Sequence, residues 1–139
     1  MPITYQTEGI DTFPAIKRRE LNIWIKQVAH LYGKEVDEIA YIFCSDPVIL
    51  EINRQYLQHD YYTDIITFDY SENNIISGDV FISMDTVKSN AEKFEVMFME
   101  ELHRVIIHGI LHLCGLKDET DEEQKMMRVK ENEALQLLK

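Results

Sequence analysis

Cysteine is scarce: the 139 residues hold two, Cys44 and Cys114. Two thiols cannot build the disulfide framework of a small secreted domain, so a reducing, cytoplasmic setting with both thiols free is the simplest expectation. Long apolar runs are missing too; none approaches the ~18 residues a membrane span requires. The opening MPITYQTEG lacks a basic region followed by an apolar stretch, so no signal peptide is expected. Positive charge is in short supply, with 14 Lys and Arg against 25 Asp and Glu and a net charge of −11. That balance disfavours loose, charge-driven binding to nucleic acid; any RNA contact must use a local patch or a partner that delivers the RNA. The one basic cluster, Lys17, Arg18 and Arg19, reads as a solvated helix face before it reads as an RNA contact. No repeat, low-complexity tract or linker divides the chain, so residues 1–139 are expected to form one domain.

What is present is an alternation of short apolar runs and amphipathic stretches. Residues 2–7 read as an edge strand. A helix is expected from Pro14 to about Tyr32, with Ile16, Leu21, Trp24, Ile25, Val28 and Leu31 inward and Gly33 as its stop. Residues 39–44 (IAYIFC) read as a buried strand. Ser45 and Asp46 before Pro47 read as the start of a second helix, 47–57, with Val48, Ile49, Ile52 and Tyr56 inward. After a loop at 58–62, strands 63–70 and 75–83 are separated by a short polar turn and should pair as a hairpin. Gly78 inside the second of these marks a bulge or a close approach. Asp85 or Thr86 is the expected cap of a third helix. Helices at 97–114 and 119–138 follow, the last with Met126, Met127, Val129, Leu135 and Leu138 as its apolar side. This order predicts an α+β (α/β layered) fold: a small mixed sheet with helices packed on it and the 97–114 helix central.

The chemistry concentrates in residues 108–118, HGILHLCGLKD. His108 and His112 stand at i and i+4, one above the other on a helix. Gly115 can take positive φ, end the helix and let the chain turn back. Asp118 could then meet the same point. Two imidazoles, one carboxylate and an open position describe a catalytic zinc site holding one ion. The competing reading makes the histidines hydrogen-bonded core residues. Two imidazoles among isoleucines are costly unless both are satisfied, which favours the metal. For Asp118 the competing role is the N-cap of the acidic last helix. Cys114 reads as core, and His103 as ordinary surface or core on another face. The spacing is close to the HExxHxxGxxH of metzincin peptidases, but Gly109 occupies the position of their general base, which argues against proteolysis.

The same stretch resembles the pattern HGxLHLxGYDH of the YbeY family of rRNA maturation factors. It keeps His108, Gly109, Leu111, His112, Leu113 and Gly115; Leu116 and Lys117 replace Tyr and Asp, and Asp118 stands at the third His. Upstream, Asn53 to Phe68 (NRQYLQHDYYTDIITF) is similar to the family's NxxYRGKDYPTDVLSF, and Gly78–Asp79 matches its GD. The resemblance implies a zinc-dependent, single-strand-specific endoribonuclease of the bacterial cytosol. Its expected work is late maturation of ribosomal RNA, near the 3′ end of the small-subunit RNA, and ribosome quality control. A small-subunit ribosomal protein or an assembly GTPase is the implied guide. His108, His112 and Asp118 are the implied metal ligands. The family's Arg falls on Leu57, so its substrate-handling role is not carried over; His59, or Arg54, is the candidate replacement. Thr63 and Asp64 either line the cleft or cap the strand. Asp79 and backbone carbonyls are candidate partners for the outer N–H of each histidine. The rival readings are another zinc metallohydrolase and a non-catalytic assembly factor whose zinc is structural, the latter marked by a fourth ligand such as Cys114 or His103.

Overall fold

The computed structural model describes residues 3–57 and 63–138. Strands β1 (Ile3–Glu8), β2 (Glu35–Cys44), β3 (Ile65–Asp69) and β4 (Ile75–Ser83) form one sheet in the order β1-β2-β4-β3. β1 and β4 both run parallel to β2, while β3 and β4 pair antiparallel as the hairpin read from their short connection. Helices α1 (Arg18–Leu31), α2 (Asp46–Ile52), α3 (Met84–Lys93), α4 (Phe98–Leu113) and α5 (Asp121–Leu138) cover the sheet, giving the expected α+β layering.

Alternation along the strands sorts side chains between two layers. Tyr41 and Phe43 of β2, with Val80 and Ile82 of β4, meet α1, α4 and α5 in the main core. Cys44 and Ile66 help form a smaller cluster with Ile49 and Ile52 of α2. Helix α4 lies at the centre and is buried over most of its circumference, which accounts for its near-continuous apolar sequence. It reaches the sheet at Gly109, where an added β-carbon would stand 3.1 Å from Val80 and 3.2 Å from Ile65. The Tyr41 hydroxyl donates to the Ile106 carbonyl at 3.0 Å, fixing the helix along the sheet. Gly78 answers to a close approach: a β-carbon there would lie 2.5 Å from the Phe68 carbonyl oxygen, and the β2–β4 register slips beside it, between Val36 and Ile39.

Several boundaries differ from the sequence reading. Helix α1 begins at Arg18, not Pro14, because Phe13 and Ile16 pack on the core from an irregular segment in which Ile16 N–H donates back to Pro14. After α2, Asn53–Leu57 forms a π-helical turn. The wider turn rotates the following face outward, so Tyr56, expected inward, is 66% exposed and meets the edge of Phe68. The cap of α3 is Ser83, not Asp85 or Thr86: its Oγ accepts from Thr86 N–H at 3.2 Å. Asp85 instead accepts from the Asp46 N–H in the first turn of α2 at 2.8 Å. In α5, Met126 and Val129 are exposed, and the buried stripe is Met127, Glu131 and Ala134.

The α3–α4 turn carries a local conflict. Glu95 has φ +56°, and Val96 N–H closes the turn on the Ala91 carbonyl at 3.0 Å. Left-handed backbone disfavours a residue with a β-carbon. Glu95→Gly should therefore stabilise the protein by about 0.5–1 kcal/mol, read as a higher urea midpoint at unchanged slope.

Candidate metal centre

The end of α4 is built by hydrogen bonds that the sequence encodes locally. Gly115, at φ +104°, donates to the His112 carbonyl at 2.9 Å, and Leu116 N–H reaches back to Leu111 at 3.0 Å. These are the two bonds of a Schellman turn. The turn sends residues 116–118 back along the helix, so that one Asp118 oxygen lies 3.3 Å from His108 Nε2 and 3.4 Å from His112 Nε2. The two rings stand 4.5 Å apart and nearly perpendicular, at 78°. Ligand-capable atoms of all three side chains fall within 4.8 Å of one another, an arrangement that can hold a metal ion. Among the described residues this is the only such group.

Asp118 does not cap α5. Thr120 and Glu123 do so reciprocally: Glu123 N–H donates to Thr120 Oγ1 at 3.1 Å and Thr120 N–H to Glu123 Oε1 at 3.0 Å. The Asp118 carboxylate is therefore available to the histidines. The opening faces solvent, since the His112 and Asp118 side chains are 29% and 37% exposed.

Glu131 of α5 escaped the sequence reading. It is 5% exposed, and its Oε2 lies 2.6 Å from His108 Nδ1. Its Oε1 accepts from Arg104 Nη1 at 2.8 Å, and Arg104 Nη2 donates to Asn132. Burial works to raise the Glu131 pKa, but the hydrogen bonds from His108 and Arg104 outweigh it and hold the carboxyl below its ordinary range. Burial likewise works to lower the His108 pKa, and the Glu131 contact reverses it, leaving the imidazole above its usual value. His112 goes the other way, lowered by burial and then by the neighbouring His108. Asp79, the side chain expected to partner these rings, instead accepts from the Tyr70 hydroxyl at 3.3 Å. The only advance signal for Glu131 was its position, four before the Leu135 of the apolar stripe on an otherwise amphipathic helix.

Asp64 sides with the centre. Its charge is felt by His108, and burial raises its pKa above the ordinary carboxylate value. Thr63 Oγ1 donates to the Ile65 carbonyl at the start of β3. His103 faces away, edge-on to Trp24 at 6.1 Å. His59 lies outside the described residues, as does the side chain of Leu57. Cys44 and Cys114 are free. Burial pushes their thiols up to about 12 and about 11. At pH 8 the Cys114 thiolate is then roughly one part in a thousand. Folded protein should react slowly with a thiol reagent at that pH and release two equivalents only on unfolding; a fast native phase would contradict the burial argument.

Comparison with known proteins places this geometry. The family model described as Endoribonuclease YbeY matches residues 6–139. The chain belongs to the YbeY family. A member named Endoribonuclease YbeY from Phocaeicola vulgatus is 65% identical over 136 residues, covering 98% of each chain. Another of that name, from Bacteroides fragilis, is 63% identical over 139 residues, covering 100% of this chain and 99% of its own. The fold matches the solution structure of TM1509 from Thermotoga maritima with a TM-score of 0.67 at 28% identity, over 98% of this chain and 88% of that one. Against this family frame, Gly109 has a steric reason: a peptidase-type glutamate there would be driven into Val80 and Ile65.

Proposed function

We propose that this chain is a zinc-dependent endoribonuclease that cuts single-stranded ribosomal RNA late in its maturation, near the 3′ end of the small-subunit RNA. Family membership makes it an enzyme that hydrolyses internal phosphodiester bonds of RNA. The observation that carries the metal-dependent reading is the meeting of His108 Nε2, His112 Nε2 and Asp118 Oδ2 on a face open to solvent. Their spacings of 3.3 and 3.4 Å suit a tetrahedral zinc, whose nitrogen and oxygen ligands at about 2.0–2.2 Å stand roughly 3.3–3.6 Å apart. Zinc held there supplies a water acidic enough to ionise near pH ~7 and positive charge for a phosphoryl oxygen. The protein's own contribution is to fix the three ligands on α4 and its turn, and to leave one side open to the RNA. Three ligands with that open side favour a catalytic ion over a structural one.

The net charge of −11 gives RNA no broad attraction, which favours delivery by a small-subunit ribosomal protein or an assembly GTPase, with a role in ribosome quality control. The site of action we assign is the cytoplasm, in keeping with two free thiols; among the described residues no helix is long and apolar enough to cross a membrane. The test is cleavage of a single-stranded rRNA fragment by the purified protein beside its His112→Ala variant. Activity in the first and none in the second is the expected result. Equal activity in both would reveal a contaminating nuclease and remove the support for this site.

A further inference from the structure

We propose that Glu131 is the positioning residue of the metal centre: anchored by Arg104, it takes the Nδ1–H of His108 and so makes Nε2 the atom offered beside His112 and Asp118. The inference rests on the metal-dependent reading above and adds to it residues that lie outside the 108–118 motif. A neutral imidazole presents one lone pair, and the partner of the protonated nitrogen fixes which one. His108 depends on a carboxylate 23 residues away on another helix.

That carboxylate has little freedom. At 5% exposure it is shut off from bulk water, and both oxygens are taken, Oε2 by His108 at 2.6 Å and Oε1 by Arg104 at 2.8 Å. Arg104 sits one helical turn before His108 on the same face of α4, and its second nitrogen is held by Asn132 at 2.8 Å. The chain Asn132–Arg104–Glu131–His108 therefore crosses three times between α4 and α5. The docking of α5 sets the orientation of the His108 ring, so the metal centre is complete only when α5 is in place.

The experiment is zinc competition with a chromophoric chelator, using the full chain and its Glu131→Gln variant, with proton NMR of the zinc-loaded proteins. Glutamine keeps the shape and removes the charge. Zinc affinity is expected to fall about 10–100-fold, the usual effect of losing an outer partner. The downfield His108 Nδ1–H signal of the unchanged protein should move upfield in the variant, which a purely structural role would not cause. A folded Glu131→Gln variant with unchanged affinity and an unmoved ring proton would overturn the proposal. If that variant fails to fold, Glu131→Asp carries the test, since it keeps the charge and withdraws the oxygen from Nδ1; undiminished affinity there would also overturn it. Failure of the unchanged protein to bind zinc would sink the metal reading, and this proposal with it.

Discussion

Asp118→Ala protein is expected to fold normally and to bind zinc more than about 100-fold more weakly than the unchanged chain, exceeding the loss of an outer partner. The fold should persist because Asp118 bears no helix: Thr120 and Glu123 cap α5, and the Schellman turn closes through backbone groups of Leu111, His112, Gly115 and Leu116. Zinc should be lost because two imidazoles alone leave the ion without its anionic donor, and the carboxylate now touching both Nε2 atoms is the only third donor there among the described residues. Asp118→His, which restores the family pattern, should keep most of the zinc. Metal content after dialysis, with thermal unfolding as the control, measures both. Stoichiometric zinc in the alanine variant would remove Asp118 from the ligand set.

The largest loss of stability is expected at Trp24, which is 1% exposed. Its indole N–H donates to the Ala134 carbonyl at 2.7 Å, so one side chain ties α1 to α5. Trp24→Ala removes a large buried ring and leaves a cavity, which typically costs about 3–5 kcal/mol. The lost hydrogen bond adds roughly 1 kcal/mol. Against a total of about 5–15 kcal/mol this brings the protein close to unfolding. The consequence reaches the metal centre, because Ala134 lies three residues after Glu131 on the same helix. Urea unfolding at 25 °C checks the first effect. Trp24→Phe keeps most of the volume and lacks the donor; its zinc affinity reports whether the α1–α5 tie matters to His108. A Trp24→Ala midpoint within error of the unchanged protein would refute the anchor.

Much of the candidate centre was legible because its geometry is local. An i, i+4 pair, a glycine three residues on and a carboxylate three beyond it lie within eleven residues, and helix geometry and a Schellman turn suffice to bring them together. Strand alternation and the short 71–74 turn likewise sufficed for the β3–β4 hairpin. The misplaced features are those in which a distant element competes for a residue. Asp85 looks like the cap of its own helix, but its carboxylate is drawn to the Asp46 N–H of α2, and Ser83 caps α3 from the end of β4. Ile16 fits a helical period, yet packs on the core before the helix begins. Tyr56 fits the inward face until a π-turn rotates it outward.

Glu131 shows the limit most clearly. Read by periodicity, a charged residue on an amphipathic helix belongs to the wet face, and Met126 and Val129 belong to the dry one. The structure reverses both, because His108 and Arg104 on α4 give a buried carboxylate the partners that burial demands. Hydrogen bonds spanning three to five residues depend on the local chain alone, so the histidines, their turn and Asp118 could be placed from the order of residues. Which helix supplies the partner of His108, and how closely Gly109 approaches β4, depend on how separately formed elements dock; only the packed tertiary structure settles that.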